Sequence, residues 1–311
     1  RWSAAAVAHT PMLGTDANLD FLDACPFRHP SERGFVSALY RPPVIYDAKS
    51  PNPFIIMARP RTGSNQLTRL LDDNRIVLCS GEAMHNKNVY AWPPLNWTLE
   101  DRDAHRHHFL DLLFSAQTQP MPHPSDSLTP THFKHVLATG FKVFTDQLFR
   151  QEFQGIATSP SIRKIVLRRK NLVDMFISEK KAQAVGRYTR ADTSRVVVTV
   201  DPGQMLQFFR AVEADNACVD AARRQSTARF GGADWYSVDY DELTNPETVD
   251  RVVHGALKYI LPPSFQIPEP RIKMGKKQDT SRRNESIGNF GEIYRVLKTT
   301  PRYFAMLMQG T

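Results

Sequence analysis

At 311 residues the chain can bury a sizeable core, as one large α/β domain or two small ones. Its 41% apolar and 23% charged residues are the balance of an ordinary globular protein, and no run approaches the roughly 18 uninterrupted apolar residues of a membrane span. A net charge of +8 points to an anionic ligand, whether a nucleotide, a sulfated or phosphorylated polymer, or nucleic acid; a basic solvated surface is the plainer account. Three scattered cysteines, Cys25, Cys79 and Cys218, exclude a disulfide framework or a zinc site and favour a reducing, cytoplasmic setting. The chain begins at Arg1 rather than Met, so a lumenal enzyme stays open.

Residues 1 to about 50 are rich in proline and turn residues and read as an irregular N-terminal extension (1–50) ahead of a domain over 51–311. Phe54-Ile55-Ile56-Met57-Ala58 is then a short continuous apolar run. A small polar loop follows, and Leu67, Leu70 and Leu71 recur at helical spacing. This predicts strand, loop and helix, with Thr62, Ser64 or Asn65 able to cap the helix start. Backbone N–H groups at the positive end of a helix dipole suit a phosphate, and Gly63 permits close approach. The loop lacks the leading Gly and the Gly-Lys pair of a nucleoside-triphosphate loop. A cation, Arg61, stands two residues before Gly63, and a hydroxyl, Ser64, follows it.

Asp72-Asp73-Asn74 ends that helix, and Ile76-Val77-Leu78 makes a short strand leading to Gly81-Glu82 and His85. If this strand runs beside the first, Glu82 emerges at the C-terminal edge of the sheet, where open α/β folds place ligands. A helix is expected around Asp101 to Leu113. His105 and His108 lie one turn apart on it, and without an acidic third ligand they read as a solvated face. Gln117 to Pro130 is a Pro-rich loop, and Gly140 to Phe144 a strand carrying Lys142 and a polar tail, Thr145-Asp146-Gln147.

Ile165 to Leu167 is a second buried strand, ending in Arg168-Arg169-Lys170. Asn171 is a plausible N-cap, and Leu172, Val173, Phe176 and Ile177 give the next helix one apolar face. Ser178, two helical turns in, can converge with the three cations on one phosphate. Val196 to Val200 reads as a short strand, a long helix starts near Gln204, and Trp235 to Leu243 is a strand with a turn. A loop rich in Lys, Arg and hydroxyls from Lys276 to Asn284 precedes a helix through Leu297 and suits a diphosphonucleotide.

Taken in order, these motifs resemble the sulfotransferases that use 3'-phosphoadenylyl sulfate (PAPS). The Pro60-Arg61-Thr62-Gly63-Ser64 form of the loop is similar to that of bacterial carbohydrate and nodulation-factor sulfotransferases. The resemblance covers about residues 53 to 300 and implies a three-layer α/β, P-loop-like fold related to nucleotide kinases, with a central, mostly parallel sheet of about five strands flanked by helices. It also implies in-line transfer of the sulfuryl group of PAPS to a hydroxyl or amine of a carbohydrate or small-molecule acceptor. Adenosine 3',5'-bisphosphate leaves, and no metal is required.

By this resemblance Glu82 is the base, with His85 as competitor, and Lys142 reaches acceptor or sulfonate oxygens unless it is a strand-end lysine in solvent. Arg61, Thr62, Gly63, Ser64, Asn65 and Gln66 hold the 5'-phosphosulfate, and Arg61 also meets charge on the leaving oxygen. Arg168, Arg169 and Lys170 share the 3'-phosphate with Ser178, while Lys277, Gln278, Ser281 and Arg282 form the basic C-terminal loop. Two departures stand out: Lys170 occupies a position where most members have Arg, and an extra residue separates Gln278 from Ser281.

Two other classes fit parts of the chain. A P-loop kinase of a small metabolite would need ATP and magnesium, which the missing Gly-Lys argues against. A non-catalytic basic module for nucleic acid or sulfated glycan would leave Glu82 and the serines idle; on the enzyme reading no nucleic-acid partner is expected. Tyr90, Trp92 and Trp97 offer faces for stacking on a sugar, or for packing.

Overall fold

The computed structural model describes residues 51–74, 76–86, 97–114, 136–148, 150–186, 192–230, 235–267 and 282–309. The expected N-terminal extension, the stretch from Gln117 to Pro130, and Tyr90, Trp92, Lys277, Gln278 and Ser281 lie outside these residues.

β1 (Asn52–Ala58) is buried on both faces, which is what its unbroken apolar run requires of a central parallel strand. It pairs in parallel with β3 (Ala138–Phe144) and β4 (Arg163–Arg168). β2 (Val77–Glu82) adds outside β3, and β5 (Tyr236–Asp239) outside β4. The order is thus β2-β3-β1-β4-β5, and every pairing is parallel. Gly140 is required under β1, because a Cβ there would run into the Phe54 carbonyl and ring.

The period-2 alternation of β1 divides the core. Phe54 and Ile56 pack with Leu67, Leu70 and Leu71 of α1 (Ser64–Asp72). A second helix on that face, α8 (Val249–Ile260), adds Val252, Val253, Ala256, Leu257 and Ile260. Ile55 and Met57 face the opposite layer. There α3 (Arg106–Phe114), α4 (Arg150–Thr158) and α6 (Pro202–Phe230) bring Phe109, Phe153, Ile156 and Val219. Helices on both faces of a parallel sheet make the three-layer α/β fold expected. A third cluster joins α5 (Leu172–Val185) and the start of α6 to α10 (Phe290–Leu297) and α11 (Pro301–Met308). Among the described residues no helix is long and apolar enough to cross a membrane.

Several boundaries differ from expectation. The helix expected from Asp101 to Leu113 is two: α2 (Leu99–Ala104), capped by Thr98 and Asp101 in a reciprocal box, and α3 after a break at His105. Val196 to Val200 forms no strand. A single bridge joins Val198 to Ile287, and Val196 and Val198 pack into the third cluster instead. The expected strand from Trp235 yields to α7 (Tyr240–Thr244) once Asp239 accepts from the Asp241 N–H. A short α9 (Arg283–Ser286) precedes α10, and α11, entered through Pro301, was not anticipated.

Candidate active site

The chain leaves β1 toward β2 on one side of the sheet and leaves β4 toward β5 on the other. The C-terminal ends of β1 and β4 are therefore a switch point, where the connections diverge and open a crevice. Met57, Ala58, Arg59 and Thr62 line that crevice from β1 and its loop, and Leu167, Arg168 and Arg169 from β4.

The loop after β1 is shaped by two left-handed residues, Arg61 at φ 66° and Gly63 at φ 82°. Gly63, not a side chain, starts α1. The Thr62 hydroxyl donates to the Arg59 carbonyl at 2.7 Å instead of capping, and Gly63 at the N-cap brings no side-chain cap to the amides of the first turn. Tyr240 of α7 lies where a Cβ on Gly63 would stand, 2.7 Å from its Cδ2. Gln66 turns its amide away, donating to the Leu243 carbonyl at 3.1 Å.

The two elements expected to hold one nucleotide meet. Arg61 Nε donates to Ser178 Oγ at 2.9 Å. Arg169 donates to the Arg61 carbonyl at 3.3 Å, stacks its guanidinium 4.4 Å from the Tyr240 ring centre, and pairs with Asp174 at 3.2 Å. Burial pushes the Asp174 carboxyl up, but Arg283, at 2.6 Å, and Arg169 outweigh it and hold the group below its ordinary range.

The other two strand-end cations go elsewhere. Arg168 makes a two-pronged pair with Asp220 of α6, at 2.7 and 3.2 Å. Lys170 is 81% exposed and pairs with Asp239, which holds its ammonium above the ordinary range. Arg282 is exposed at the start of α9.

Glu82 is the last residue of β2, and a bulge between Ser80 and Glu82 shifts the register so that Glu82, rather than Gly81, stands opposite Lys142. Glu82 Oε1 pairs with Lys142 Nζ at 2.9 Å, and Lys142 also donates to Asn65 Oδ1 at the start of α1. Lys142 is 2% exposed, so the solvent reading of this lysine does not hold: β3 is flanked by β1 and β2, and its end lies under the loop. His85 sits one turn past Glu82, its N–H donating to the Glu82 carbonyl at 3.0 Å. His105 and His108 are exposed and pack against the Trp97 ring.

Three contributors escaped the sequence. Arg59 forms a buried ion pair with Asp215 of α6 beneath the loop, and burial draws its guanidinium below the ordinary range. Arg283, beside the expected Arg282, joins Arg169 on Asp174. Gln147 donates to Glu82. Gln147 stands in the polar tail after β3 and Arg283 in the basic stretch from Lys276 to Asn284, whereas nothing in the sequence marked Arg59.

No protein-family model matches the chain. It is similar to nodulation protein H of Rhizobium tropici, 24% identical over 257 residues that cover 81% of this chain and 92% of that protein. Nodulation protein H of Rhizobium meliloti (strain 1021) is 23% identical over 246 residues, covering 78% and 90%. Among solved structures, that of a sulfotransferase from Alicyclobacillus acidocaldarius aligns with 84% of this chain and 97% of its own, at 14% identity and a TM-score of 0.40. That superposition is too loose to carry an argument, and the fold assignment rests on the strand order above.

Proposed function

We infer that this chain, a relative of the nodulation H proteins over about four fifths of its length, is a sulfotransferase of that type. We further propose that its donor is PAPS and its acceptor a hydroxyl or amine of a carbohydrate or small molecule. The observation that carries the reading is the meeting of two clusters at neighbouring strand ends: Arg61 with Ser178 and Arg169, and Glu82 with Lys142 and Asn65.

The donor set fits PAPS. An uncapped helix start offers amides for one anionic group, and Arg169 with Ser178 offers a cation and a hydroxyl for a second. When bound, PAPS supplies a sulfuryl group on its 5'-phosphate. Glu82 accepts the acceptor's proton as the acceptor oxygen or nitrogen bonds to sulfur. Lys142, bonded to both Glu82 and Asn65, places positive charge between the base and the loop. As the bond from sulfur to the bridging oxygen breaks, the electron pair stays on the phosphate of departing adenosine 3',5'-bisphosphate. The amides of Gly63 to Asn65 and the Arg61 guanidinium meet that charge. Catalysis on this reading is positioning and electrostatics.

A kinase reading lacks the Gly-Lys of its loop. A purely binding module gives no use for a carboxylate paired with Lys142 at the mouth of an anion loop. The deciding experiment is a calorimetric titration with adenosine 3',5'-bisphosphate, with ATP and magnesium as control. Metal-independent binding of the bisphosphate is expected; binding of ATP alone would overturn the reading in favour of a kinase. Labelled PAPS with candidate acceptors then tests transfer, which Glu82→Gln is expected to abolish.

A further inference from the structure

We propose that Gln147 is the positioning residue that aims Glu82, an inference that rests on the reading of Glu82 as base. Gln147 closes the 3-10 turn Thr145–Gln147 directly after β3. Its Oε1 accepts from the Phe144 N–H at 3.1 Å, which settles the orientation of the amide, since only the NH2 end then remains to face Glu82. Nε2 donates to Glu82 Oε2 at 3.2 Å while Lys142 holds Oε1 at 2.9 Å. With one donor on each oxygen, the carboxylate cannot rotate without breaking a bond.

The support behind Gln147 is rigid. Its carbonyl accepts from Arg106 at 3.0 Å, and buried Arg106 is clamped by Glu152 at 2.5 and 2.7 Å and by Asp103 at 3.0 Å. On the other side Arg102, 2% exposed, donates to the His85 carbonyl at 2.5 Å and pins the turn that follows Glu82. The chain thus fixes the base from both flanks with buried arginines on α2 and α3. The group that touches it from the turn is a neutral amide, which sets direction without adding a second full positive charge that would make the carboxylate a weaker base.

The test compares wild type, Glu82→Gln, Gln147→Met and Gln147→Glu, reading release of labelled sulfuryl from PAPS to an alcohol or, failing one, to water. Bisphosphate affinity is measured in parallel. Gln147→Met keeps the volume and loses the bonds. It is expected to lower kcat by about ten- to a hundredfold with KM for PAPS and bisphosphate affinity within about twofold. Gln147→Glu sets a second carboxylate against Glu82 and is expected to lose more at pH 8. Its activity relative to wild type should recover toward pH 5, where the protonated side chain donates again, which a merely structural role would not produce. Wild-type kcat in Gln147→Met, with Glu82→Gln inactive, would overturn the inference and leave the base assignment standing. Full activity in Glu82→Gln, or no release by wild type, would overturn the base assignment and the inference with it.

Discussion

Arg61 and Ser178, 117 positions apart, are joined by a 2.9 Å hydrogen bond from guanidinium Nε to hydroxyl, which ties the loop after β1 to the second turn of α5. Arg61→Ala is expected to lower turnover about a hundredfold or more while costing less in bisphosphate affinity, because the cation acts most on charge that develops late. In a double-mutant cycle with Ser178→Ala, the two single losses in bisphosphate binding should exceed the double mutant's loss by about 1 kcal/mol. Simple additivity, read by calorimetry, would mean the bond is idle in binding.

Arg169 and Lys170 are neighbours in sequence but not in environment. Arg169 is held by Asp174, the Arg61 carbonyl and Tyr240, whereas Lys170 is exposed on Asp239. Arg169→Ala should weaken bisphosphate binding by about 2 kcal/mol or more, and Lys170→Ala by no more than about 1 kcal/mol, as for an exposed ion pair. Equal losses in the two titrations would return Lys170 to the 3'-phosphate.

Gly63 combines a φ of 82° with Tyr240 in the space of a side chain. Gly63→Ala is expected to cost about 1–3 kcal/mol of stability and to abolish bisphosphate binding as the loop shifts. The control is Gly291→Ala in α10, where a Cβ meets nothing within 4 Å, and its melting temperature should stay level or rise.

Asp72 ends α1 and accepts from the Cys79 N–H at 2.6 Å. Burial raises its carboxyl from 3.8 to about 8, with Asp73 adding to the rise and the Cys79 bond opposing it. The folded chain therefore binds a proton here that the unfolded chain has released. This contribution to stability is complete below pH 3.8 and is lost as pH rises through about 8. Thermal unfolding should show a downward slope in stability from pH 5 to 8, and Asp72→Asn, neutral throughout, should flatten it.

Where local signals dominate, the elements were legible. The apolar run of β1 and Asn171 capping α5 through the Asp174 N–H stand as read, while the start of α1 falls to Gly63 rather than to Thr62, Ser64 or Asn65. Four valines from Val196 to Val200 have strand propensity, but among the described residues a lone bridge from Val198 to Ile287 is all the pairing they find, so packing against α5 and α6 decides their fate. The break at His105 divides a polar first segment, set by the capping box at Thr98, from an apolar second one, from which Arg106 pairs with Glu152.

By itself the sequence determined the residue types available to the site, the strands that must be central, and the loop that only Gly63 can complete. Those follow from side-chain period and backbone sterics within a few residues. Tertiary structure decided which cation meets which partner. Arg168, the last residue of β4, is captured by Asp220 on α6, Arg169 beyond the strand turns to the loop, and Lys170 is left to solvent and Asp239. It also brought Glu82 opposite Lys142 through a single bulge and put Gln147 on its other oxygen. Such partners come from distant elements whose registers are set only when the sheet and its two helical layers close.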